Sequence, residues 1–177
     1  MILKVARLGF PAVRTVAAPV AVDQIKTHDF QKLIDDMVET MHEYLGVGLA
    51  ATQVHLPIQL CVLQVEHHPR YPDMPPVPLT VLINPKVEFI GDEKEEDWEG
   101  CLSIPDLRGR VPRYRELKVR ALDRSARQIE IGAIGFHARV IQHETDHLKG
   151  EVYLDRMENM KSLAFLAEWS RFAMAEK

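Results

Sequence analysis

Cysteine is scarce in this chain of 177 residues: only Cys61 and Cys101 are present. At most one disulfide can form, which excludes the cysteine-stapled class of small secreted domains. No run approaches the ~20 apolar residues of a membrane-spanning helix. The start, Met1-Ile2-Leu3-Lys4-Val5-Ala6-Arg7, has neither a sustained apolar stretch nor a cleavage signal. Positive charge is not in excess: 22 Lys and Arg stand against 26 Asp and Glu, a net charge of -4. That balance gives no electrostatic reason to expect nucleic acid as a partner. The one basic cluster, Arg108, Arg110, Arg113, Arg115, Lys118 and Arg120, has acidic neighbours and reads as a solvated strand face. Repeats and low-complexity tracts are also missing. These absences point to a cytosolic protein with no membrane or nucleic-acid partner, a trimmed organellar form being the alternative. The apolar content of 46% suits a packed core, and the length is most simply one domain spanning 1–177.

Hydrophobic period divides the chain into elements. Phe30, Leu33, Ile34, Met37, Val38, Met41, Tyr44 and Leu45 recur at helical spacing and predict a helix over 28–45. Thr27 or Asp29 is a candidate cap, and Gly46 is placed to end the helix. Strands are predicted over 59–65, 79–83, 86–90, 116–122 and 128–133, with a hairpin turn at 123–126 joining the last two. Five prolines in 66–78 predict an exposed loop, and His67 and His68 at its start read as solvated. Cys61 sits in an apolar strand-like run and reads as a core thiol. Leu163, Phe165, Leu166, Trp169, Phe172 and Met174 predict a C-terminal helix over about 158–175, packed on the domain or on a second subunit. The fold class is α+β, with antiparallel sheet around a motif helix.

That helix carries His143-Glu144-Thr145-Asp146-His147, an HExxH motif. Residues four apart lie on one helix face, so both imidazoles reach one metal ion. The glutamate between them can act as general base toward a water activated there. Such a string also arises by chance on surface helices. Ala138, Ile141 and Leu148 form an apolar stripe beside it and Gly150 is a stop, so the context favours a helix held in the protein. A catalytic site needs a third protein ligand. Downstream the acidic candidates are Glu151, Asp155, Glu158, Glu168 and Glu176, none in an extended motif. Upstream, Glu99-Gly100-Cys101-Leu102-Ser103 presents a thiol just after glycine, in a loop closed by Pro105. Cys101 is the natural third ligand, and a buried inert cysteine is the competing reading. A third segment, Gly46-Val47-Gly48-Leu49-Ala50-Ala51-Thr52-Gln53, lets another backbone approach closely. It ends on an amide that can donate to an oxyanion, although a tight packing corner accounts for it equally well.

GVGLAATQ at 46–53, EGCLS at 99–103 and QHETDHLKG at 142–150, in that order, resemble the peptide deformylase family. The similarity extends through Ile83-Asn84-Pro85, Ser103-Ile104-Pro105 and Val111-Pro112-Arg113, over about residues 5 to 157. It implies antiparallel sheets around the metal-binding helix, and hydrolysis of the N-formyl group from new polypeptides beginning with formyl-methionine. It carries the metal ligands to Cys101, His143 and His147, the acid/base to Glu144, and oxyanion donors to Gln53 and the Leu102 backbone N–H. It implies one divalent metal per chain, Fe(II) in the cell, with Zn, Ni or Co able to replace it. An extended peptide would lie beside 47–49 and 99–101, so Gly48 and Gly100 join the substrate-binding set. Val47 and Val140 would wall the methionine pocket and Arg139 would shape its rim. Glu99 and Arg113 would pair to brace the cysteine loop. The loop at 66–78 and His137-Ala138-Arg139 depart from the commonest bacterial pattern toward the branch that includes mitochondrial enzymes. A bacterial cytosolic protein near the ribosome, monomeric or a homodimer, is the expectation. Two rivals stand beside it: an HExxH peptidase with a downstream ligand, and a metal-stabilised module that binds nascent chains without chemistry.

Overall fold

A computed structural model describes residues 1–66 and 75–173. His67, His68, Pro69 and Pro72 of the proline-rich loop lie outside the described residues, as do Met174 and Glu176.

The N-terminal third is built on a short helix α1 (Val22–Ile25) and the long helix α2 (His28–Glu43). Thr27 caps α2 by accepting the Phe30 N–H at 3.3 Å. The helix stops two residues before the predicted end. Leu45 takes a left-handed φ of 51°, its N–H reaches the His42 carbonyl, and the Gly46 N–H reaches Met41. This is a Schellman stop in which leucine, not glycine, holds the left-handed position. Phe30, Ile34, Met37 and Met41 are buried from α2 against the sheet, while Tyr44 and Leu45 are exposed.

Two antiparallel sheets follow. The first runs β1-β2-β3-β6-β7, made of Gly48–Ala50, Leu60–Val65, Val77–Phe89, Glu116–Leu122 and Gln128–Ile134. The strands predicted over 79–83 and 86–90 are one strand, β3. Asn84 (φ 53°) and Pro85 make an irregularity between Ile83 and Lys86 rather than a break. β3 also takes in Val77 and Pro78 from the predicted loop. The second sheet runs β4-β5-β8, made of Lys94–Cys101, Ile104–Tyr114 and Ala164–Phe165. The β4–β5 hairpin is missing from the predicted strands. Its charged and proline-containing sequence hides the period of two, and Cys101 closes a strand instead of sitting in a loop.

The basic cluster is not uniformly solvated. Arg110, Lys118 and Arg120 pair with Glu96 and Glu130 at the surface, but Arg108 and Arg113 are buried. The C-terminal helix is shorter than expected. Met160–Ser162 is a 3-10 turn, Ala164–Phe165 adds to β5 at Leu107 and Arg108, and, among the described residues, helical turns resume only over Leu166–Ala173. The open edge of β5 offers backbone partners that a helix through 164 would leave unused.

The motif helix α3 (Phe136–His147) runs between the sheets and contacts β1, β2, β5 and β7. It is buried on nearly every side, from Ala138 to His147. Gly150 ends the turn beyond it with φ 75°, and a β-carbon there would meet the Arg14 carbonyl oxygen at 2.5 Å. Cys61 is fully buried in the core beneath α3. Among the described residues, no helix is long and apolar enough to cross a membrane.

Candidate active site

Helix α3 delivers His143, Glu144 and His147 to the end of β4, where Cys101 sits. Ligand atoms of Cys101, His143 and His147 lie within 4.8 Å of one another, and Cys101 Sγ is 3.2 Å from His147 Nε2. The motif's spacing sets the two histidines four residues apart on one helix face, and the β4–β5 turn brings them the Cys101 thiol from 42 and 46 residues upstream. Burial would raise the Cys101 thiol, but His147 and His143 beside it hold it well below its usual range, as a thiolate. One thiolate and two imidazoles, nearly enclosed, fit a divalent transition metal and not magnesium or calcium. The downstream carboxylates are occupied elsewhere: Asp155 pairs with Arg14 and Glu151 with Arg156. Glu158 and Glu168 are exposed, and neither belongs to a metal-binding group among the described residues.

The histidines are oriented from behind. His143 Nδ1 lies 2.8 Å from Glu99 Oε2. Glu99 is buried, which would raise its pKa, but Arg113 and the His143 hydrogen bond hold it well below the carboxylate range. An ionised carboxylate only accepts, so His143 donates from Nδ1 and turns Nε2 toward the metal position. Glu99 accepts from Arg113 at 2.9 and 3.0 Å and from Arg139 at 2.8 Å. The expected Glu99–Arg113 pair is present, with its carboxylate committed to protein partners. Arg139 lines the cleft, but its guanidinium is turned inward to Glu99 and to the carbonyls of Val111 and Glu95, at 2.8 and 2.6 Å. Thr52 donates to the His147 carbonyl at 3.3 Å.

Glu144 is 4% exposed, and its Oε2 has no hydrogen-bond partner among the described residues. Burial pushes its pKa up to about 7, against the pull of the neighbouring imidazoles. A β-carbon at Gly48 would collide with its carboxylate, which is why β1 carries glycine there. Gln53 holds its carbonyl on the Ala50 N–H at 2.9 Å. Its amide NH2 faces Cys101 Sγ at 3.4 Å and Ser103 Oγ at 3.2 Å. These groups open on a cleft of about 370 Å³, lined also by Val47, Gly48, Gly100, Leu102 and Val140.

A family model for polypeptide deformylase matches residues 2–163. The chain belongs to that family. Over 165 residues it is 47% identical to peptide deformylase 1 of Bordetella pertussis, covering 93% of each chain. It is 44% identical to peptide deformylase 1 of Nitrosomonas europaea over the same shares. Among solved structures, the Met-Ala-Ser-bound class I type b peptide deformylase of Acinetobacter baumannii superposes with a TM-score of 0.86 at 37% identity. That superposition covers 89% of this chain and 99% of that one. An actinonin complex of the same enzyme gives a TM-score of 0.78 at 32% identity, over 89% and 99%. The enzyme is thus a metal-dependent amide hydrolase that removes the N-formyl group from new polypeptides and binds formyl-peptide substrate. The expected α+β fold stands, with antiparallel sheets and few helices.

Sequence reasoning missed three neighbours of the site. Asp146, inside the motif, bridges Arg113 at 2.5 Å and Arg156 at 2.8 Å. Tyr153 stacks beside His143, with ring centroids 6.3 Å apart. Arg108 lies on the face of Gly100, where a β-carbon would strike its guanidinium. Only Asp146 had a signal, its place between motif residues beside an arginine-rich strand.

Proposed function

We propose that Cys101, His143 and His147 hold one divalent metal and that Glu144 is the general acid/base of deformylation. The observation that carries this reading is a buried Glu144 carboxylate, its Oε2 without a hydrogen-bond partner among the described residues, beside three converging ligand atoms. When bound, the metal supplies Lewis acidity, lowering the pKa of water toward ~7 in favourable zinc sites and polarising the formyl carbonyl. Glu144 takes the proton of the attacking water and passes it to the leaving amine. Gln53 and the Leu102 N–H donate to the oxygen that gains charge, and one such donor is worth ~3 kcal/mol.

The substrate lies extended along β1, which is the first strand of its sheet, and faces the end of β4. Gly48 and Gly100 keep both backbones open to it, Glu99 holds the wall from behind, and Val47 and Val140 border the methionine side chain. Arg139 shapes this wall through its buried contacts. Ferrous iron is the metal in the cell, with zinc, nickel and cobalt as replacements; a thiolate ligand suits these softer ions. The chain works in the bacterial cytoplasm as one catalytic unit, monomeric or a homodimer, near the ribosome where formylated ends emerge. It binds no specific nucleic acid and no membrane.

The test is formate release from formyl-Met-Ala-Ser by anaerobically purified protein and by Glu144→Gln. Turnover of the variant should fall by orders of magnitude with metal content retained. Unchanged turnover would remove Glu144 from its role. Cleavage of internal peptide bonds without formate release would favour the peptidase alternative.

A further inference from the structure

The family match ends at residue 163, yet the chain beyond it returns to the active-site cleft. Ala164 and Phe165 add a strand to β5 opposite Arg108 and Leu107. That pairing anchors the following turn at the cleft, where Leu166 joins Trp98, Gly100, Pro105 and Arg108 in its lining. One turn on, Trp169 packs edge-on against Trp98, with centroids 6.1 Å apart. The Arg108 guanidinium lies over the Trp169 ring at 5.9 Å and fills the space a β-carbon would need at Gly100. The terminal segment is thereby joined to the backbone on which Cys101 stands.

We propose that Ala164–Ala173 is a specificity wall of the cleft: Leu166 meets an apolar side chain of the substrate downstream of its formyl-methionine, and Trp169 positions Leu166. The inference rests on the deformylase reading above. Leu166 is half-buried, so part of its apolar surface is left to be covered. The neighbouring wall is also apolar at Trp98 and Pro105, and burying an apolar side chain there is favourable in proportion to the area covered. Because Leu166 belongs to the wall and to none of the proton-transfer groups, its contribution is uniform binding, which moves KM and leaves kcat. Trp169 acts through Leu166 and is a positioning residue.

The experiment measures kcat and KM of the metal-loaded full chain on formyl-Met amide, formyl-Met-Ala-Ser, formyl-Met-Leu-Ser and formyl-Met-Ala-Leu. In Leu166→Ala, the KM of at least one leucine-containing peptide should rise ~3- to 10-fold relative to formyl-Met amide, with its kcat kept. Trp169→Ala should shift the same ratio in the same direction. Leu166→Phe, which refills the wall, should restore it. Unchanged ratios in Leu166→Ala, or an equal rise for all four substrates, would overturn the wall. If the wild-type chain releases no formate, the deformylase reading itself fails, an outcome separate from indifferent Leu166 variants on an active enzyme.

Discussion

At the scale of single residues, the site is defined by atoms that have no room to move. Gly48 is the clearest case: the space a β-carbon would need is filled by the Glu144 carboxylate. Gly48→Ala should displace that carboxylate, lowering kcat about 100-fold or more by misplacing the base, while metal stoichiometry stays at that of the wild type. Loss of metal together with activity would show a general collapse instead. Arg139 makes a different prediction. Its guanidinium serves the buried Glu99 carboxylate and Val111 carbonyl, and the part-buried Glu95 carbonyl. Arg139→Met should cost about 2–4 kcal/mol in urea unfolding, because it leaves buried acceptors unpaired. Arg110→Met, at an exposed pair with Glu96, should cost less than ~1 kcal/mol. Equal costs would deny Arg139 its bracing role. The grouping of Cys101, His143 and His147 was legible in the sequence, because metal chemistry admits few residue types and two of them stand at fixed helical spacing. The inward turn of Arg139 was not, since its partner Glu99 is 40 residues away in the chain. No local pattern encodes that contact.

At the scale of elements, legibility follows how strongly a segment repeats its period. Helix α2 shows a clear apolar face and a side-chain cap, and the prediction only overruns its end by two residues. Strands β4 and β5 bury charge because Glu99 and Arg113 pair with each other and Arg108 lies over the Trp169 ring, so alternation disappears. The C-terminal segment failed for another reason. Its apolar residues fit a helix, but the vacant edge of β5 captured two of them. The hairpin between β6 and β7 was legible through Asp123, and it supports a prediction about pH. Partial burial pulls the Asp123 carboxyl up, but the Arg127 and Ser125 backbone N–H groups and the Arg127 side chain outweigh this. The folded-state pKa therefore lies below the ordinary 3.8. A depressed carboxylate adds stability that is fully present above the unfolded value and fades as pH falls through the folded one. Asp123→Ala should lose about 1 kcal/mol at pH 7. The difference from wild type should shrink below pH 3.8. A difference that persists unchanged into that range would mean the turn does not depend on the ionised form.

At the scale of the whole molecule, the metal position is also a joint between parts that pack separately. Cys101 belongs with Val111 and Tyr153 in one apolar cluster, whereas Ala138, Val140 and Ile141 of α3 belong with the larger sheet in another. A metal held by Cys101 and by both histidines of α3 ties these two cores at one point. An ion that binds the folded chain alone stabilises it in proportion to the logarithm of its saturation, about 2.7 kcal/mol at 100 times Kd. For a chain of this size that is roughly 5–11 °C in melting temperature. Removing the metal with a chelator should therefore lower the wild-type melting temperature by that order, and restoring cobalt or zinc should raise it again. Cys101→Ala should weaken metal binding and lose most of the chelator-sensitive shift. Its metal-free form should melt close to the metal-free wild type, because the thiol's own packing is small beside the joint it completes. A variant that keeps stoichiometric metal and the full shift would show that the two sheets are tied through the histidines alone, and Cys101 would then have to be removed from the ligand set.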